Sequence, residues 1–213
     1  MADKDEPGTK DRIQAAAIEL FARKGFGATG VREIAAEAGV SLAMVNYHFG
    51  SKAALLEEIL QGFFERMSAV VEENLSGDDP PEEKLRRHLN YVVDVFRENP
   101  ALARVAIAEM PHEMPGLVEL KAQRIGQLAG LVVAQVLPDL PEAVRSNIRL
   151  EVLGPMMMGG VALHFMLRPV ISQAFGIEFD DAFYEGYADA MTDMLMYGVY
   201  GVGRDRDGGE GTG

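Results

Sequence analysis

The chain has 213 residues, 48% of them hydrophobic and 25% charged, which supplies enough apolar side chains for a sizeable core. Against 33 aspartates and glutamates stand 20 lysines and arginines, a formal net charge of −13. That excludes a protein coating nucleic acid by overall basicity, but not a locally basic element. No cysteine is present, so disulfide scaffolds, Cys-ligated zinc, iron–sulfur clusters and thiol nucleophiles are excluded, and a reducing cytoplasm is the expected setting.

Met1 to Asp11 is polar and charged, without the apolar run and small-residue cleavage site of a secretory signal. Ile13, Ala17, Leu20 and Phe21 then recur at helical intervals between Thr9 and Lys24, with Gly25 as a stop. Val31, Ile34, Ala35 and Ala38 form a shorter apolar set that ends at Gly39-Val40. Ser41 is placed to cap a segment from Leu42 to His48. Ser51 is placed to cap a long helix that runs to the break at Ser76–Pro81.

Further helices are expected at about 82–98, 101–109, 116–136, 141–167 and 180–200, separated by prolines, with Pro155 kinking the fourth of these. Residues 201–213, rich in Gly and Asp, read as a disordered tail. The longest stretch free of charge, Val152 to Leu167, falls short of a membrane span, so a soluble protein is expected. No alternating strand run of useful length appears. The expected fold is all-α.

Charge divides the chain more sharply than hydropathy. Residues 8–52 hold six basic and four acidic residues, whereas residues 53–213 carry a net −13. The expected organisation is a mildly basic helix-turn-helix head at 9–52, an acidic helical body at 53–200, and the tail. The head suits a polyanion that the body would repel.

Val31 to Phe49 has the arithmetic of a helix-turn-helix. Two short helices meet at Gly39, where the turn needs a residue tolerant of positive φ, and Ser41 caps the second. Such a pair braces one helix on the phosphate backbone while the other enters the major groove. The runs Ile13–Phe26, Thr29–Ala35, Ala38-Gly-Val-Ser41 and Asn46-Tyr-His-Phe-Gly-Ser-Lys52, followed by Leu55-Leu56, together resemble the TetR (tetracycline-repressor) family of bacterial transcription regulators. The resemblance covers roughly residues 9–60.

The resemblance implies a DNA-binding head, a ligand-receiving body and a homodimer held by the last two long helices. It implies Leu42, Ala43, Met44, Asn46, Tyr47 and His48 at or near the groove, with Arg32 and Lys52 on phosphates. Tyr47 and His48 stand equally as half-buried supports whose polar tips reach a phosphate. Phe49 reads as core beside Val45. Asn46 has nothing apolar to bury, and its amide suits bidentate pairing with adenine. Asn46, Leu42 and Ala43 depart from the residue types common at these positions, so base contacts do not transfer from better-known members.

The leading function is a ligand-responsive regulator, expected to be a repressor that binds a palindromic double-stranded operator as a homodimer. The alternative is an architectural or protein-partnered DNA binder with no small-molecule inducer. An enzyme has little support: His48, His88, His112 and His164 lie far apart, and no metal-ligand spacing, nucleophile elbow or phosphate-cradling Gly loop is present. No cofactor, metal site or membrane association is expected. Ten of the twelve methionines lie at or beyond Met67, and Met156–Met158 follow Pro155 and precede Gly159-Gly160. Methionine suits surfaces that repack around apolar guests. The expected pocket is lined by Phe63, Met67, Tyr91, Met110, Met157, Val161 and His164, with Tyr91 and His164 as polar anchors, for a hydrophobic small-molecule effector.

Overall fold

In a computed structural model the described residues are 8–108 and 115–197. All of their regular structure is helical: α1 Thr9–Lys24, α2 Val31–Glu37, α3 Leu42–Phe49, α4 Lys52–Ala69, α5 Val71–Leu75, α6 Pro81–Glu98, α7 Pro100–Ala108, α8 Pro115–Gln135, α9 Glu142–Arg145, α10 Leu150–Phe175, α11 Asp181–Glu185 and α12 Tyr187–Tyr197. Met110, the Pro111 loop and the tail at 201–213 lie outside the described residues. The chain is all-α, with a three-helix helix-turn-helix at its N-terminus and a larger helical body after it.

The first three helices fold around Ile13, Ala17, Leu20, Ile34, Val45 and Phe49, all buried. Leu55, Leu56 and Leu60 of α4 are fully buried. The spacing of these residues is the helical period that the sequence displays. Ser41 Oγ accepts from the Met44 amide at 3.3 Å and Ser51 Oγ from the Ala54 amide at 3.1 Å, so both expected caps form. Positive φ occurs at Gly39 (62°) in the turn between α2 and α3, where a side chain would be strained.

The described residues cluster into two compact units, 8–70 with 95–128, and 71–94 with 129–197. The first unit holds more than the head, because α7 packs on both α1 and α4. A division after residue 52 therefore falls inside this unit. Phe63 of α4 lies edge-to-face with Phe96 of α6, ring centroids 6.3 Å apart.

The second unit departs from expectation in its long helix. Pro169 was expected to end a helix at residue 167, but α10 runs from Leu150 to Phe175 with Pro155 and Pro169 both inside it. It stops at Gly176, which takes the left-handed conformation (φ 66°) and donates its amide to Ser172. At this full length α10 is long and apolar enough to cross a membrane, which Val152–Leu167 alone was not. Its flank is scarcely covered: Met156 is 64% exposed, Leu163 53% and Val170 61%.

A helix-turn-helix with one open face

α3 buries Val45 and Phe49 and leaves Leu42, Ala43, Asn46 and Tyr47 exposed. These four stand at i, i+1, i+4 and i+5, so they share one side of the helix. Tyr47 is 81% exposed, an unusual setting for so large an apolar ring. Met44 is half-buried. His48 packs edge-on to Tyr47, ring centroids 5.3 Å apart, and its Nε2 is enclosed without a hydrogen-bond partner. Of the six residues expected at or near the groove, four stand on the open face and two are partly covered.

The basic residues of the head divide in the same way. Arg32 is exposed in the first turn of α2. Lys10 pairs with Glu58 at 2.6 Å and Lys24 pairs with Glu33, whose carboxyl is held below its usual range chiefly by that hydrogen bond. Lys52 donates to the carbonyls of Phe26 (2.7 Å) and Thr29 (2.8 Å) and lies 4.3 Å from the centre of the Phe26 ring. An ammonium has three donors, so one N–H of Lys52 remains for a phosphate. Arg12, passed over in the sequence, donates through Nη2 to the Ala38 carbonyl at 2.6 Å and to Gly39 at 3.2 Å. No spacing rule points to that contact, because it joins positions 26 and 27 apart.

The residues expected to line a pocket divide between the two units. Phe63 and Met67 are buried in the first unit. In the second, Val161 is buried, while Tyr91, Met157 and His164 are half-buried. Met110 lies outside the described residues. His164 Nε2 and the Tyr184 hydroxyl are 3.1 Å apart, amid the rings of Phe165, Phe179, Phe183 and Tyr187. Burial, with the charge of Arg168 as a smaller cause, lowers the pKa of His164. Burial, then Tyr184, pushes the Tyr187 hydroxyl up to about 12.

The Gly159-Gly160 pair does bring elements close. A Cβ on Gly160 would lie 3.3 Å from the methyl of Met191 in α12. A second histidine, His88 of α6, is 9% exposed with an unpartnered Nδ1, and burial lowers its pKa to about 4. A cleft of about 350 Å³ between α1, α4 and α7 is bordered by Gln14, Glu58, Glu65 and Arg66, a lining too charged for an apolar guest. None of the seven expected pocket residues borders it.

Residues 13–59 match the family described as bacterial regulatory proteins, tetR family. An uncharacterized HTH-type transcriptional regulator, YerO of Bacillus subtilis, is 39% identical over 93 residues, 42% of this chain and 32% of that protein. The HTH-type transcriptional repressor NicS of Pseudomonas putida is 26% identical over 130 residues, 61% of this chain and 60% of that protein. The chain thus spans from about a third to three fifths of the length of these two relatives. Among solved structures, the transcriptional regulator FadR of Bacillus subtilis in complex with stearoyl-CoA superposes with a TM-score of 0.65 at 19% identity, covering 88% of this chain and 98% of that one. That likeness extends the shared fold beyond the head.

Proposed function

On a head that belongs to the tetR family of bacterial regulatory proteins, we propose a cytoplasmic transcriptional regulator, a repressor, that binds a palindromic operator as a homodimer and is released by a hydrophobic small molecule. The observation that carries this reading is the open face of α3. Tyr47 and Asn46 stand out from a well-packed head, where folding alone gives them nothing to do. Asn46 pairs with a base edge, Leu42 and Ala43 meet thymine methyls or sugar, and Arg32 takes a phosphate.

The homodimer rests on α10. Val152, Met156, Leu163, Leu167 and Val170 are all exposed and follow one another at spacings that, with Gly159 between Met156 and Leu163, make a single stripe. A second copy related by a two-fold axis covers such a stripe with its own. The low burial of α10 fits this cover as well as it fits lipid, and the interior Arg168 favours protein.

The effector site is assigned to the second unit, in the neighbourhood of Tyr91, Met157, Val161 and His164. An elongated apolar molecule suits these side chains, and FadR of Bacillus subtilis, a protein of similar fold, was solved in complex with stearoyl-CoA, which supports the reading. Genomic duplex fragments retained by the immobilised protein test the reading. Fragments should be held by the parent, lost with Asn46→Ala, and eluted by a long-chain acyl-CoA or a related apolar acid. Met157→Trp should keep the fragments but ignore the effector. Fragments retained equally by parent and Asn46→Ala would remove α3 from recognition, and elution from Met157→Trp as from the parent would move the pocket.

A further inference from the structure

Arg12 and Lys52 are two cations of the head whose charged ends meet main-chain carbonyls of other elements. They reach opposite ends of the same helix. Lys52, the first residue of α4, holds the Phe26 and Thr29 carbonyls of the segment that leads into α2 at Val31. Arg12, in the first turn of α1, holds the Ala38 and Gly39 carbonyls where α2 has just ended. Those carbonyls lie past the last helical hydrogen bond, where a cation is favourable to the helix dipole.

Local structure fits these two contacts closely. Gly39 has φ of 62°, and a Cβ there would stand 3.0 Å from Arg12 Nη2, so a side chain at this position would crowd the guanidinium. Gly30, the cap residue of α2, offers no side-chain acceptor, and the Thr29 hydroxyl is turned back to the Gly25 carbonyl at 2.8 Å. Neither end of α2 is secured by its own side-chain cap, and each is secured by a cation from a neighbouring helix. Ser41, two residues after Gly39, starts α3. Any shift of the 38–39 carbonyls therefore turns the open face of α3, and bidentate base pairing tolerates only about 0.5 Å of such error.

We infer that Arg12 and Lys52 are positioning residues that hold the two ends of α2 and so aim α3. The inference rests on the DNA-binding reading for its functional consequence, though not for the clamp itself. The clamp is a role apart from the one in which a head cation neutralises a phosphate and releases counterions.

Charge-conserving variants separate the two roles. Arg12→Lys keeps the charge but lacks the planar guanidinium whose Nη2 meets both carbonyls, and Lys52→Arg keeps the charge but does not fit over the Phe26 ring as a compact ammonium. A duplex selected by the parent from a random pool serves as probe. Each variant should bind it at least tenfold more weakly, bind random duplex within twofold of the parent, and keep the parent's slope of log affinity against log salt. Near-parental affinity for the selected duplex in both variants would overturn the inference. So would a loss in either variant that comes with a fall in slope of about 0.9 per contact, the mark of a lost phosphate and not of a misaimed helix. Amide exchange of residues 38–45 in Arg12→Lys, measured without DNA, should quicken at least tenfold, and unchanged exchange would refute the clamp. If the parent selects no duplex, the regulatory reading fails while this exchange measurement still decides the clamp.

Discussion

His164 Nε2 lies 3.1 Å from the Tyr184 hydroxyl, and this contact ties α10 to α11 inside a cluster of four further aromatic rings around the imidazole. The ring is held where its neutral form is favoured, since burial and then Arg168 lower its pKa. His88 shows the same preference more strongly, lowered from 6.5 to about 4 by burial.

Both groups have a folded pKa below the unfolded one because the cation is disfavoured in the fold. Their contribution is therefore complete above the unfolded value near 6.5 and is lost as pH falls towards the folded value. Between pH 7 and 5, His88 alone should account for about 2 kcal/mol of lost stability. Urea denaturation across that range should show the loss in the parent and a much flatter profile in His88→Leu. An equal pH dependence in both would mean that His88 is solvated when folded.

Lys84 is 2% exposed, and its ammonium donates to the Gln135 carbonyl at 2.9 Å and to Asp139 at 2.9 Å, whose side chain is 48% exposed. The two partners are not equivalent. Removing Asp139 leaves a buried charge with one carbonyl, whereas removing Lys84 leaves a carboxylate already in water. Asp139→Ala should cost about 2–3 kcal/mol and Lys84→Met less than about 1 kcal/mol, read from urea midpoints. The reverse order would show that the ammonium is wetter than its burial implies.

The head was legible because its rules are local. Periodicity located α1 at Thr9–Lys24, Gly39 marked the turn, and Ser41 and Ser51 marked two helix starts. Arg12 was not legible, since a guanidinium meeting carbonyls 26 and 27 residues away leaves no mark on spacing. Lys52 was legible as a cation at a helix start but not as one whose donors are largely taken. In the body, Pro169 misled: a proline removes one donor and crowds the preceding turn, yet the apolar length of α10 carries the helix past it to Gly176. A pocket is the kind of feature a sequence shows least, because apolar residues that line a cavity and those that fill a core obey the same period.

The exposed stripe of α10 sets an expectation for assembly. Sedimentation at micromolar concentration without detergent should give twice the chain mass of 23.2 kDa. Leu163→Glu, which places a charge at the centre of the stripe, should give the single chain. A parent that sediments as one chain, or that floats with phospholipid vesicles, would assign α10 to something other than a second copy.

The central claim is that the open face of α3 reads base edges. Selection of duplexes from a random pool by the purified protein, followed by sequencing, tests it most directly. The account predicts an inverted repeat whose half-sites are centred about 34–36 Å apart, one turn of the duplex, with Asn46→Ala weakening binding to it by about 1–3 kcal/mol and barely affecting random DNA. No enrichment of any sequence, or equal losses by Asn46→Ala on selected and random duplexes, would contradict it.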